Sequence, residues 1–417
     1  MRKMIDSGIK WIGEIPEAWS VTKVKYFYDC YDGKRIPVDS AERRSGPYPY
    51  WGAGSVTDYV DNYIFDEELV LLGEDGAPFF DHARPVAFLI NEKVWVNNHI
   101  HVLKPKTNIE GRFLVHWFNI VDYKAYINGS ILNKLTQSNM NSIALALPPL
   151  AEQVRIVDYL DAECAQIDAV IEQIRASIEE YKKLKQSVIT RAVTKGIRPG
   201  RKMKDSGVEW IGEIPEEWKL LSLGAVTESM RNGYVGPTKD LFIDEGVKYI
   251  QSLHIKDGRI DFSRQQYYVS EEWANVHPKI KENDVLIVQT GDVGSVGLVT
   301  AEYDRCNCHA LIIATPRTNL VFPQYLTFFL RSTVGKELLL FYKTGALLPH
   351  LNSGKIKFAS ICVPGLQEQK EIVNYLNAKC IAIDNLISKK ELLASELESY
   401  KKSLIFEYVT GKKAVVI

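Results

Sequence analysis

The sequence predicts an α+β chain in which two globular α/β blocks hang on two long helices, and three observations carry that prediction. Residues 148–194 recur at 364–410 without a gap, at an offset of 216. A Trp-, Gly- and Pro-rich motif at Asp6–Trp19 returns at Asp205–Trp218, at an offset of 199. Between motif and helix, each half carries strand-like segments whose residues differ from those of the other half. The expected division is residues 1–147 for the first block with its lead-in and 148–196 for the first helix. Residues 197–363 then form a linker, the repeated lead-in and the second block, and 364–417 the second helix. If the helices pair antiparallel within the chain, a pseudo-two-fold axis relates the two halves.

Bulk properties narrow the classes. The 417 residues suffice for two or three domains, each with its own core. The chain is 46% hydrophobic and 25% charged, as ordinary globular proteins are. The N-terminus lacks the apolar core of a secretory signal. No apolar run reaches the ~18 residues that a membrane span needs. None of the six cysteines forms a CxxC, and Cys164 and Cys380 lie in the predicted helices, so a reduced, cytoplasmic protein is expected. The formal charge is −1. Contact with nucleic acid must then come from local patches or be shared with a partner.

The lead-in DSGIKWIGEIPEAW differs from its repeat DSGVEWIGEIPEEW only at Ile9/Val208, Lys10/Glu209 and Ala18/Glu217. Such a pattern cannot be a regular helix; it predicts an ordered turn whose tryptophans pack on another element. In the first block, Val86–Ile90 and Val94–Leu103 read as strands, and Ile109–Asp122 as a helix with Phe113, Leu114, Trp117, Phe118 and Val121 on one face. In the second, Val247–Ile255, Val285–Thr290 and Ala310–Thr315 read as strands, and Pro323 opens a helical stretch. The halves realign at 128–153 and 344–369.

The long repeats carry a heptad. Leu160, Cys164, Ile167, Ile171, Ile174, Ile178, Tyr181, Lys185 and Val188 alternate steps of four and three, and Leu376, Cys380, Ile383, Ile387, Lys390, Ala394, Leu397, Lys401 and Leu404 match them. Sustained a/d spacing predicts coiled-coil pairing. Pro148-Pro149 and Pro364 precede the helix starts, where proline is tolerated. The lysines at seam positions weaken packing and can fix register. The linker Lys195–Lys204 is basic, through Lys195, Arg198, Arg201, Lys202 and Lys204, and is either a solvated loop or a phosphate contact.

Catalytic signatures are missing from the sequence. It has no GxxxxGK[ST] P-loop, no Asn/Asp-Pro-Pro-Tyr/Phe motif, no GxSxG and no HExxH. The glycines of Thr290–Gly297 predict a tight turn between strands. Cys306, Cys308 and His309 fit no common zinc spacing. His99 and His101 would share a strand face without an evident third ligand. No catalytic residue and no metal site are therefore assigned. Nucleic-acid surfaces are better populated. The first block offers Lys34, Arg35, Arg43, Arg44, Tyr48, Tyr50 and Trp51; the second offers Arg231, Asn232, Tyr234, Lys239, Gln251, Ser252, His254 and Gln289. Arg and Lys meet phosphates or guanine edges, amides read base edges, and aromatics stack or wedge.

Two related blocks with unlike interiors predict a reader of two unlike half-sites. The paired W-I-G-E-I-P-E-x-W lead-ins, P-P-L-A-E-Q at 148–153, its echo P-G-L-Q-E-Q at 364–369, and the helix endings A-V-T-K-G and Y-V-T-G-K complete the pattern. Over essentially its full length the chain resembles the specificity (S) subunit of type I restriction-modification enzymes. That resemblance implies two target recognition domains, each reading one part of a bipartite DNA site. It implies an antiparallel coiled coil that spaces them and docks methyltransferase (M) subunits, two of them expected. S-adenosylmethionine would reside on those partners, and ATP and Mg on a motor-nuclease (R) subunit. This chain itself would be non-catalytic and bind no cofactor. Gly365 departs from the pattern at the place of Pro149. The rival readings are a stand-alone duplicated DNA-binding regulator, a non-enzymatic scaffold, and a duplicated enzyme.

Overall fold

The structure, a computed structural model, describes residues 2–81, 84–127, 133–344 and 350–415. The parts of the realigned halves at 128–132 and 345–349 lie outside the described residues. The chain divides into two compact units, Met1–Arg175 with Glu391–Ile417, and Ala176–Lys390.

In the first unit the strands β1 (Tyr28–Cys30), β2 (Leu69–Gly73), β3 (Ala87–Ile90) and β4 (Ile100–Pro105) form an antiparallel sheet in the order β1-β4-β2-β3. Helix α1 (Gly111–Ile120) buries Phe113, Leu114, Trp117 and Phe118, the apolar face expected from their spacing. The single strand expected over 94–103 is two strands in two sheets. Lys93–Val96 pairs in parallel with Ser45–Trp51, and the chain turns at Asn97–His99 before β4. The Asn97 amide oxygen accepts from the His99 backbone N–H at 2.8 Å, an Asx turn that an apolar side chain could not make.

In the second unit β5 (Thr227–Asn232), β6 (Val285–Val288), β7 (Val296–Leu298) and β8 (Leu311–Pro316) repeat that sheet in the order β5-β8-β6-β7. A parallel pair recurs as well: Tyr249 and Ile250 face Asn307 and Cys308 as Tyr50 and Trp51 face Trp95 and Val96. The blocks therefore share topology where their sequences share little. The helical stretch after Pro323 is broken into α3 (Pro323–Arg331) and α4 (Thr333–Phe341). Buried Ser332 makes the break: its hydroxyl donates to the Phe329 carbonyl at 2.6 Å and accepts from the Gly335 N–H at 3.0 Å, capping α4. A Cβ at residue 335 would fall 2.1 Å from the Phe329 oxygen.

The two repeats at offset 216 are helices spanning both units, α2 (Leu150–Lys195) and α5 (Leu366–Val409). Within the first unit Lys401 meets Asp168 at 2.7 and 2.6 Å, and Arg175 meets Glu398 at 3.0 Å. Within the second, Lys185 meets Asp384 at 2.7 and 2.9 Å and Arg198 meets Glu371 at 2.7 Å. Residue numbers rise along one helix as they fall along the other, so the pairing is antiparallel in each unit. Of the expected seam, Leu160, Ile167, Ile171, Ile174, Ile178, Leu376, Ile383 and Leu404 are buried, and Ile387 and Leu397 half-buried. The seam lysines 185 and 401 answer a carboxylate on the facing helix.

The repeated lead-ins fasten the helix ends. Met4–Asp6 pairs with Glu14–Pro16, and Met203–Asp205 with Glu213–Pro215. Gly13 and Gly212 turn these hairpins at φ +72° and +65°, a region that disfavours residues with a Cβ. Trp11 packs on Trp117 and Phe406, and Trp210 on Phe341. The helix-opening glutamates clamp the lead-ins: Arg2 reaches Glu152 at 2.5 Å, and Arg201 grips Glu368, its Nη2 lying 3.0 Å from Oε2. The neighbouring glutamines tie helix to domain. The Gln153 amide accepts from the Glu110 N–H at 2.9 Å and donates to the Pro148 carbonyl at 2.9 Å. The Gln369 amide accepts from the Phe322 N–H at 2.7 Å and donates to the Leu320 and Pro364 carbonyls at 2.9 and 2.8 Å. Each glutamine thus caps the first turn of the helix α1 or α3, whose leading N–H groups have no intrahelical acceptor.

Candidate nucleic-acid interface

The seven candidates of the first block divide by where their side chains are held. Lys34 and Arg44 are exposed, and the Lys34 ammonium sits 3.4 Å from the centre of the Tyr31 ring. Arg43 is tethered: it donates to the Val38 carbonyl at 3.1 Å, meets Asp58 at 3.3 Å and lies over the Tyr50 ring. Tyr50 is buried, with its hydroxyl accepting from the Val38 N–H at 3.1 Å. Tyr48 packs on Tyr63 and Trp51 on Phe88. Arg35 turns inward, donating to Glu74 at 2.6 Å and to the Ile100 carbonyl at 2.8 Å.

Around Arg35 lies a buried charge network. His101, 1% exposed, places Nδ1 2.6 Å from the Asp32 carboxylate and Nε2 2.8 Å from the Leu135 carbonyl. Burial raises the Asp32 pKa, but the hydrogen bond and charge of His101, the Val102 N–H and Arg35 pull it below the ordinary carboxylate value. Glu74 is likewise raised by burial and brought lower by Arg35, His101 and Lys134. Asp32, Glu74 and His101 come close enough to share an ion, so the structure supplies the partners that spacing alone did not show beside His101. Their donor atoms are already engaged by the Arg35 guanidinium and by backbone, and the network reads as the anchor of the turn that carries Lys34. His99 stands apart in the preceding turn, 2.6 Å from Asp75.

In the second block Asn232 and Lys239 are exposed. Arg231 donates to the Lys279 carbonyl at 2.7 Å and to the Thr315 hydroxyl at 3.2 Å. Tyr234 stands edge-on to Trp273 and His277. His254 is wholly buried: Nδ1 accepts from the Gln251 N–H at 2.9 Å, so Nε2 carries the proton it donates to the Gln265 carbonyl at 2.6 Å. Burial lowers its pKa and favours this neutral ring, which closes the turn holding Gln251 and Ser252. Gln289 is half-buried at the end of β6, its carbonyl accepting from the Leu351 N–H.

The two blocks thus present different exposed groups on equivalent scaffolds: Lys34 and Arg44 on one, Asn232 and Lys239 on the other. Lys256, Arg259 and Arg264 of the second block are exposed as well. Two linker arginines considered for phosphate contact are spoken for, Arg198 by Glu371 and Arg201 by Glu368 and Glu217. The role of Arg2 and Arg201 also escaped the motif reading, although Arg-Lys-Met stands at 2–4 and again at 201–203, at the lead-in's own offset.

Comparison with known proteins bears on this architecture. The family profile described as "Type I restriction modification DNA specificity domain" matches residues 16–180 and 215–393. A putative type I restriction enzyme specificity subunit of Haemophilus influenzae is 26% identical over 385 residues, covering 90% of this chain and 89% of its own length. The type I restriction enzyme MjaVIII specificity subunit of Methanocaldococcus jannaschii is 24% identical over 416 residues, covering 95% and 93%. Among solved structures, a chain from work on the assembly and conformational transition of the type I restriction-modification system superposes with a TM-score of 0.69 at 17% identity, covering 96% of this chain and 99% of that one. The HsdS subunit of Thermoanaerobacter tengcongensis gives 0.50 at 16% identity, covering 96% and 98%. With both halves matched by one profile and the repeated scaffold described above, the chain belongs to the type I restriction-modification DNA specificity family.

Proposed function

We propose that this chain is the DNA-reading subunit of a type I restriction-modification complex and that each block reads one half of an asymmetric, two-part site. The observation that carries this reading is the pairing of like scaffolds with unlike surfaces. Both blocks have the same sheet order, the same parallel strand pair and the same glutamine cap. Their exposed cations and amides differ. Such a pair has the form of one recognition module used twice for different sequences. The long helices space the modules and seat methyltransferase subunits, two of them by the logic of duplication. Exposed apolar side chains on those helices, Val170, Leu184, Leu386, Leu392 and Leu393, suit such a seat. The chain is non-catalytic in this reading and acts in the cytoplasm. S-adenosylmethionine, ATP and Mg belong to the partner subunits. No helix among the described residues is long and apolar enough to cross a membrane.

The test is selection from a random duplex library, with and without an adenine-methyltransferase partner. The expected product is a motif of two specific parts around an unspecified spacer. Recovery of no two-part motif with the partner present would overturn the proposal.

A further inference from the structure

In the second unit a cavity of about 440 Å³ opens between the turn at Asp257–Gly258, helix α3 and the two long helices. Its charged lining is unevenly matched. Lys185 is committed to Asp384 and Glu302 to Lys248. That leaves Arg259, which is exposed and makes no ion pair among the described residues, Arg331, and Asp257. Arg331 is 12% exposed, and its guanidinium has five N–H donors. Among the described residues its side chain makes one hydrogen bond, at 3.5 Å, to the Asp257 carboxylate, which is itself 62% exposed. A buried cation so poorly answered is costly. Its pKa is lowered accordingly, by burial above all, with Asp257 only partly opposing. Gln324 lines the same cavity, and its amide oxygen is buried without a donor among the described residues.

The first unit shows which part of this site is common frame. Glu110 and Phe322 are matched by the glutamines that accept from their N–H groups, which sets Asn119 of α1 level with Arg331 of α3. The equivalent cavity there, about 780 Å³, is lined by Cys164, Asp168 and Lys401, as the second is by Cys380, Asp384 and Lys185. Asn119, however, is fully used, accepting from the Val86 and Ala87 N–H groups and donating to the Ala87 carbonyl. The frame repeats; the first cavity has arginines of its own, Arg84 and Arg175, the latter paired with Glu172 and Glu398, and what the second unit changes is the arginine that stands at the position of Asn119.

We propose that this cavity binds a small oxyanion of the phosphate class, held by Arg331 and Arg259 and ordering the Asp257–Gly258 turn against α3. Planar guanidinium forks suit oxyanions. Two sources share this chemistry, free phosphate and a backbone phosphate of DNA. The site stands independently of the half-site reading, so its test is readable whatever the library selection returns.

The experiment is thermal unfolding of the full chain at constant ionic strength, with chloride exchanged for inorganic phosphate, alongside ³¹P line widths. Wild type is expected to show a saturable rise in Tm and broadened phosphate signals. Arg331→Met, which keeps an unbranched apolar stem, should lose the response and be no less stable in chloride. Arg259→Ser, at an exposed position where folding is not at stake, should weaken phosphate binding about tenfold. An identical response in wild type and both variants, or none in wild type, overturns the proposal. A duplex arm separates the sources. If DNA supplies the phosphate, free phosphate competes with duplex and Arg331→Met lowers the salt slope of duplex binding by about one. If the anion is free, the two bind together and the slope is unchanged.

Discussion

Replacing Gln369 with leucine, which nearly preserves its volume, tests the cap that joins the second long helix to its domain. The side chain is fully buried and makes three hydrogen bonds, at 2.7, 2.9 and 2.8 Å, to backbone groups of Phe322, Leu320 and Pro364. Leucine leaves all three backbone partners without their bond. Each unsatisfied buried group costs roughly 1–3 kcal/mol. Two of the three bonds are only part-buried, so the low end applies to them, and the loss should be about 3–5 kcal/mol. Gln153→Leu removes two such bonds, one of them part-buried, and should cost about 2–4 kcal/mol. A two-unit chain need not unfold in one step, so urea titration should be joined to hydrogen exchange at the amides of Phe322–Leu326. Gln369→Leu should speed exchange there while leaving the first turn of α1 protected, and Gln153→Leu should do the reverse. A loss no larger than that of the exposed control Gln367→Leu would refute the reasoning.

Further outcomes follow from the charge networks and the exposed groups. Double-mutant cycles on the helix pairs should give a coupling of about 1–2 kcal/mol for Lys185–Asp384, whose lysine is buried, and about 0.5 kcal/mol for the more exposed Lys401–Asp168; equal couplings would contradict the burial argument. Asp32 and Glu74 have folded-state pKa values below their ordinary 3.8 and 4.5. Their contribution is therefore present above those ordinary values and is lost as pH falls through the lower folded ones. Asp32→Asn should flatten the acid limb of the first unit's stability curve, and an unchanged limb would count against the network. Arg44→Ala and Lys239→Ala should each weaken DNA binding across all sequences and lower the salt slope by about one. Arg35→Ala should chiefly destabilise the first unit, which thermal unfolding without DNA would show.

What the sequence made legible was the frame, because its roles demand particular residue types. Heptad spacing places Leu160 and Leu376 on a seam whatever surrounds them, and a Trp-Gly-Pro lead-in admits few conformations. The shared sheet of the two blocks was hidden, since a buried strand asks only for apolar side chains. Leu69–Gly73 and Val285–Val288 meet that demand with different residues. Direction was hidden too. Arg35, Tyr50 and His254 have the chemistry of DNA contacts, but whether a polar side chain faces water or an internal carbonyl depends on partners distant in sequence. Glu74 is 39 residues from Arg35, and Gln265 supplies the acceptor for His254. Gln153 and Gln369 were visible as a repeat but not as caps, because the backbone groups they cap lie just before the helices α1 and α3, 43 to 49 residues earlier in the chain.

The central claim is that one block reads one half-site. Its most direct test is a chimera in which residues 219–362 are replaced by the second block of another specificity subunit, assembled with the same methyltransferase partner and put through library selection. The account predicts a motif with one half changed, while the other half and the spacer are kept. A motif changed in both halves, or in neither, would contradict it.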